Sequence, residues 1–251
     1  TGPVLFEEGA ASRLFTDNLL SPGRLLALRT MAPARGMLDE QLGRRIIDSR
    51  LTVKNYTTLA EYNGTPLFGC YEIDGDGVVP AAELTLVENG VFKRMLNGRV
   101  PTLKAPESTG SARFMISPDN PMAIVSPGTI HVQASKGVGP EKLKKALLKA
   151  AKEADLEYAY IVRRIGGEAS AVYKVNVKDG KEIRVRVNNL SAPELTKLMD
   201  LKGISSDERV MNYLPNGVPA SLIYPSAIIV GDVEINRTTP KIEEEPVLKH
   251  P

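Results

Sequence analysis

The sequence predicts an α+β fold: extensive antiparallel β-sheet with a few flanking helices. Short alternating apolar runs recur along the chain, and Asn-Gly and Asp-Gly dipeptides join neighbouring runs into hairpins. Sustained helical spacing of apolar residues is confined to a few stretches, so the helices serve to cover sheet.

Val4, Leu5 and Phe6 form a short apolar run after Gly2-Pro3 and predict a buried strand. Glu7 and Glu8 then place negative charge where a helix N-terminus favours it. Ala10, Ala11, Leu14, Phe15 and Leu19 recur at helical spacing up to the breaker pair Pro22-Gly23. Residues 23–50 read as loop, with a short helix around Met37 to Ile47. Leu51 to Tyr56 predicts a strand, Asn63-Gly64-Thr65-Pro66 a turn, and Leu67 to Ile73 a short extended piece.

Asp74-Gly75-Asp76-Gly77 opens like a calcium loop, but the later ligand positions hold Val78, Ala82 and Thr85, so it reads as a turn. Residues 82–96 alternate on both sides of Asn89-Gly90 and predict a hairpin. Residues 97–126, rich in Pro, Ser, Gly and Thr, read as irregular. Residues 128–134 predict a strand with His131 on the face of Thr129 and Gln133.

The firmest helix runs from Pro140 to Ala154, with a stripe of Leu143, Ala146, Leu147, Ala150 and Ala154 opposite Lys142, Lys145, Lys149 and Lys152. The lysines read as a solvated face. Tyr158 to Ile165, Ala169 to Lys178 and Glu182 to Val187 predict three antiparallel strands, the last two joined by Asp179-Gly180. Ser191-Ala-Pro-Glu194 has the spacing of a capping box for a helix through Leu195, Leu198 and Met199, ending near Gly203. Residues 217–235 form the last structured segment, and the acidic stretch from Asn236 reads as an extended tail.

Composition bounds the function. Lys plus Arg number 32 against 30 Asp plus Glu, a net charge of +2, which is too balanced for a chain whose task is to neutralise nucleic-acid phosphates or anionic lipid. No run approaches the roughly 18 consecutive apolar residues of a membrane span. One cysteine, Cys70, excludes an internal disulfide framework and a cysteine-based zinc cluster, and as a small hydrophobe it is expected in the core. Ser12, Ser111 and Ser221 lack the flanking glycines of a nucleophile elbow, with His131 as their one available base. The chain opens on Thr1 with strand-like sequence at once and reads as a trimmed piece of a longer protein.

Gly2-Pro-Val-Leu-Phe-Glu7, Leu14-Phe15 and the following helix resemble the start of the C-terminal domain of the TldD/PmbA family, also called modulators of DNA gyrase. The hairpin about Asn89-Gly90 and the closing Gly217-Val-Pro-Ala-Ser221 with Pro225-Ser-Ala-Ile-Ile-Val230 extend the resemblance in colinear order. It implies one C-terminal-type domain over residues 1–236, with residues 237–251 as a tail and the family's N-terminal domain outside this chain. Peptidase members of the family carry His-Glu-x-x-x-His on the first helix and a metal-binding cysteine before the closing signature. Here the helix positions hold Thr16, Asp17, Asn18, Ser21 and Pro22, and Val210 to Asn216 contain neither Cys nor His.

The resemblance therefore implies a non-catalytic member, similar to the PmbA (TldE) subunit that pairs with a metal-bearing TldD-type partner in peptide degradation. Its contribution would be peptide binding and assembly, with no metal of its own although peptidase members hold zinc. Its partners would be a paralogous subunit or a second copy and an unfolded peptide, not nucleic acid or membrane. By the same resemblance the location is cytoplasmic, with export left open. Arg113, in the stretch Thr109 to Arg113 that in the family precedes an Asn- and Pro-rich segment near the substrate channel, and His131 are the candidate peptide-contacting residues. Two further readings stand beside it: an active metallopeptidase whose atypical ligands, such as Asp17, Asp76 and His131, converge in space, and a stand-alone scaffold or regulator.

Overall fold

Leaving the opening strand, the chain turns straight into its first helix, and the turn is made at Glu8, whose φ of 52° lies in the left-handed region. The protein is described here from a computed structural model covering residues 1–28, 38–115, 122–166, 170–187 and 190–236. The expected tail and Met37 lie outside these residues.

In chain order the elements are β1 (Gly2–Glu7), α1 (Glu8–Leu19), β2 (Leu51–Tyr56), β3 (Glu61–Tyr62), β4 (Thr65–Pro66), β5 (Glu83–Glu88) and β6 (Val91–Phe92). There follow β7 (Ala112–Phe114), β8 (Ala123–Val125), β9 (Thr129–Ala134), α2 (Pro140–Glu153), β10 (Tyr158–Arg164), β11 (Ala171–Asn176) and β12 (Glu182–Val185). The chain closes with β13 (Leu201–Ile204), β14 (Glu208–Tyr213), β15 (Ala220–Pro225) and β16 (Ala227–Val233).

Two six-stranded sheets organise these elements, ordered β12-β11-β10-β1-β16-β13 and β14-β15-β9-β2-β5-β6. Pairing is antiparallel except where β1 meets β10 and β15 meets β9, so each sheet is mixed. Both exceptions join strands distant in sequence, which no local pattern encodes.

Alternation decides what each face does. Val4 and Phe6 of β1 join the main core, whereas Leu5 between them packs on the other face with Ile161, Ile229 and the α2 residues Leu143, Leu147 and Ala151. Of the expected stripe Leu143 and Leu147 are buried on the first sheet, each contributing roughly 1.5–3 kcal/mol, with Ala151 beside them, whereas Ala146 and Ala150 are half-buried and Ala154 is exposed. The main core lies between the sheets. Leu51, Val53, Ile130, Val132, Leu222 and Tyr224 of the second sheet meet Val162, Val172, Ile228 and Val230 of the first, with Ala10, Ala11, Leu14, Phe15 and Leu19 of α1 among them. Helix α1 contacts β10 and β16 on one side and β15 on the other.

A buried carboxylate ties the sheets together just before β2. Asp48 is 4% exposed, and its Oδ1 accepts from Arg50 N at 2.9 Å and Arg50 Nε at 2.8 Å. Its Oδ2 accepts from Arg50 Nη2 at 2.7 Å and from Leu201 N at 2.9 Å, reaching β13 in the other sheet. Burial opposes ionisation of Asp48, but these donors outweigh it and hold the carboxyl below its ordinary range.

Several local expectations change. Over residues 38–47 the expected helix is only a 3₁₀ turn, Leu38–Gln41. Leu67 to Ile73 forms no strand. The irregular stretch 97–126 contains the β7–β8 pair. The helix after Ser191 is a 3₁₀ turn, Leu195–Met199, with Glu194 at its N-cap and no side-chain cap, and Gly203 lies inside β13 rather than ending a helix. Pairing of β13 with β16 outweighs the local helix signal there. Cys70 is exposed, on a surface segment, because that segment is held by polar contacts rather than buried in a core. Among the described residues no helix is long and apolar enough to cross a membrane.

The Asp48 tie is testable. Asp48→Ala leaves Leu201 N and the Arg50 guanidinium without their acceptor and should cost about 2–3 kcal/mol in urea unfolding at pH 7. Because the folded carboxyl has a depressed pKa, the stability gap between wild type and Asp48→Asn should be full above the ordinary carboxylate range. It should close as pH falls through the depressed range of Asp48.

Candidate functional site

The helix positions that carry metal chemistry in the related peptidases are spent here on structure. Asn18 is 7% exposed, and its Nδ2 donates to Leu14 O and to Pro193 O, both at 2.9 Å, tying α1 to the segment before the 195–199 turn. Asp17 pairs with Arg13 one turn back at 2.8 Å and accepts from Thr16 Oγ1 at 3.1 Å. Ser21 and Pro22 lie past the helix end, where Gly23 takes a φ of 79° and Gly23 N donates to Leu26 O at 2.9 Å.

Next to that end lies an apolar groove of about 220 Å³. Leu20, Pro22 and Leu26 form one wall, and β8 with Ser126 forms the other, with Pro215 and Asn216 at its edge. A larger hollow of about 370 Å³ lies between the β1 start, residues 155–158 and Val233, and contains none of the candidate residues.

Arg113 sits on β7, and its guanidinium stacks over the Tyr71 ring at 4.1 Å while Nη2 donates to Pro219 O at 3.4 Å. Its Nη1 is buried without a hydrogen-bond partner among the described residues, and burial lowers its pKa from the ordinary value. The structure thus packs this residue between ribbon and sheet, where the sequence made it a candidate peptide contact.

His131 stands on the other side of the second sheet. Ile130 and Val132 face the core with α1, so Thr129, His131 and Gln133 point outward, and the sheet itself separates His131 from Asp17. His131 Nε2 lies 2.9 Å from Glu208 Oε1 on β14, and Gln133 Nε2 lies 3.4 Å from His131 Nδ1. Tyr62 of β3 donates to Glu208 Oε2 and sets its ring edge-on to the imidazole, centroids 5.3 Å apart. Burial favours the neutral form of Glu208, yet the hydrogen bonds from His131 and Tyr62 more than offset it and hold the carboxyl below its ordinary range. Burial, then the bond to Glu208, pushes the Tyr62 phenol up to about 12.

Sequence reasoning missed Glu208 and Tyr62. The two lie 146 residues apart, and neither stands in a motif, so no local signal pointed to them.

The serine and acidic candidates are likewise engaged elsewhere. Ser221 Oγ donates to Asn212 Oδ1 at 2.6 Å and accepts from Phe68 N at 2.8 Å. Ser12 donates to Gly9 O at 2.9 Å, and Ser111 lies 3.0 Å from the Thr109 hydroxyl. Asp74 organises its own turn, accepting from Asp76 N, Val78 N and, across the loop, Ala112 N at 2.8–3.0 Å. Asp76 accepts from Arg99 N at 2.8 Å.

Among the described residues no group of three or more His, Cys, Asp or Glu could hold a metal ion. The α1 positions do not fit a zinc ion either: they offer no imidazole, and the one carboxylate there is paired with Arg13. Asn18→Ala should therefore behave as a structural lesion, lowering stability by about 1–2 kcal/mol in thermal or urea unfolding through the unsatisfied Pro193 carbonyl.

The family described as PmbA/TldA metallopeptidase C-terminal domain matches residues 1–236. Among solved structures, TldE from Thermococcus kodakarensis is similar, with a TM-score of 0.60 at 17% identity over 93% of this chain and 50% of that one. A protein from Bacteroides thetaiotaomicron, named as a candidate modulator of DNA gyrase, follows with a TM-score of 0.52 at 15% identity over 92% of this chain and 47% of that one. The chain thus spans about half the length of these structures. The search of curated proteins returned no match. With its entry strand, first helix and closing strands in the family's order and its fold shared with TldE, the chain belongs to the PmbA/TldA metallopeptidase C-terminal domain family.

Proposed function

We propose that this chain is a non-catalytic member of its family, contributing peptide binding and assembly to a complex whose metal chemistry resides in a TldD-type partner or neighbouring subunit. The observation that carries this reading is the use of the α1 motif positions. Asn18 is committed to two carbonyls and Asp17 to Arg13, so the helix that would carry the ligands is a structural pin. Zinc sites assembled without at least two His or Cys residues are uncommon, and His131 lies across the sheet from this helix.

The groove at the end of α1 is the seat proposed for an unfolded peptide. Its walls are apolar, and β8 belongs to a two-stranded ribbon, a setting in which an extended chain binds by main-chain pairing while its side chains enter the groove. Sequence-tolerant binding suits an unfolded substrate.

The purified chain should bind an unfolded fluorescent peptide without cleaving it, and Ile124→Arg in the groove wall should weaken binding at least about tenfold with unchanged thermal stability. Cleavage by the chain alone that stops on adding a chelator would overturn the non-catalytic reading. Undiminished binding by Ile124→Arg would overturn the groove.

A further inference from the structure

Residues 57–73 cross the outer face of the second sheet without joining it. The chain forms its own small ribbon, β3 with β4, turned by Asn63 at φ 47° and Gly64 at φ 80°. Its main-chain bonds are internal or to its own base: Leu67 N to Ala60 O at 2.9 Å, Tyr71 N to Thr57 O at 2.8 Å and Thr57 N to Ala82 O at 3.1 Å.

Side-chain hydrogen bonds hold it to the sheet, together with the close backbone packing of Gly69 on Gly128 and Thr129. Asn212 Nδ2 donates to Pro66 O at 2.8 Å, the Ser221 hydroxyl accepts from Phe68 N and Gly69 N, and Tyr62 donates to Glu208. Apolar burial is slight, since Leu67 is buried but Phe68 and Ile73 are 51% and 60% exposed. A segment with few buried apolar contacts and side-chain anchors belongs to the low-stability end of a fold. At its far end Tyr71 donates to Gly110 O at 2.8 Å and supports the Arg113 guanidinium, which reaches Pro219 O, so the same segment bears on the β7–β8 ribbon at the groove.

We propose that residues 57–73 are a detachable strap, latched by the ionised Glu208 carboxylate through Tyr62 and His131, and that the closed strap braces the β7–β8 ribbon. Only the link to peptide access rests on the groove reading; the latch and the brace are properties of the chain itself. Tyr62 from the strap and His131 from β9 are the groups in contact with Glu208. His131 has the Tyr56 ring 6.3 Å away between centroids and registers with Lys54 of β2, which is itself paired to Glu83 of β5 at 2.5 Å, while Glu61 beside Tyr62 is exposed. On its own strand Arg209 registers with Tyr224 on the opposite face, and Asp207 beside it is exposed. Glu208 is thus the acceptor at which the strap and sheet donors converge. Its depressed pKa sets the sign: the latch is full above the ordinary carboxylate range and is lost as pH falls through the depressed range.

Hydrogen–deuterium exchange on the whole chain tests this, with rates corrected for intrinsic pH dependence. At pH 7 Glu208→Gln should lower protection of the Leu67, Phe68 and Tyr71 amides about tenfold, while β9 and β15 amides hold their wild-type values. Protection in β7 should fall with the strap. Wild type titrated downward through the acidic range should show the same selective loss below the ordinary carboxylate range, and Glu208→Gln should show little further change. Tyr62→Phe removes a single hydroxyl at the strap and should reproduce the effect if Glu208→Gln fails to fold. Strap amides that stay protected in both variants, or that lose protection only together with β9 and β15, would overturn the latch. A β7 that keeps its protection while the strap opens would overturn the brace. The readout needs no peptide, so failure here is distinct from failure of the groove.

Discussion

The constraint on which the structure depends is the burial of α1 between two sheets. A helix held on both sides must be apolar around most of its circumference, and Ala10, Ala11, Leu14, Phe15 and Leu19 meet that requirement. Its polar residues are then admitted only where a partner awaits them. Asn18 finds Leu14 O and Pro193 O, and Ser12 finds Gly9 O. Buried between the sheets and committed through Asn18 to Pro193 O, the helix acts as a pin that joins them.

From that arrangement the two faces of the second sheet acquire different characters. Inward, β2, β9 and β15 supply branched and aromatic side chains to the core. Outward, they and their neighbours carry Lys54, Tyr56, His131, Gln133 and Glu208, over which residues 57–73 are laid. A polar sheet face covered by a segment that brings its own hydrogen-bond donors needs no apolar core beneath it. Closure through an ionised acceptor responds to pH where apolar closure does not, because the charge-assisted hydrogen bonds weaken on protonation.

Much of the fold was legible locally. The β1–α1 junction, the Asn89-Gly90 hairpin with Asn89 at φ 48° and Gly90 at φ 78°, and the α2 stripe of Leu143 and Leu147 all follow from spacing and turn chemistry. The misreadings share a cause. Ser191 to Glu194 carries a capping signal, but the chain beyond is drawn into β13 by pairing with β16, and Cys70 sits outside because its segment was never part of a core. Arg113 and His131 were visible as residues but not as environments: one is stacked on Tyr71 and the other joined to Glu208 by contacts that span the chain.

The sequence by itself determined the α+β class and the family, because both reside in local order: periodicity, turn residues and motifs in colinear sequence. Tertiary structure decided the parallel joins of β1 with β10 and β15 with β9, the side of the sheet on which His131 lies, and its convergence with Glu208 and Tyr62. Those are relations between distant segments. They are set by which strands share an edge and in which register, and a single shift of one residue would exchange the faces of a strand.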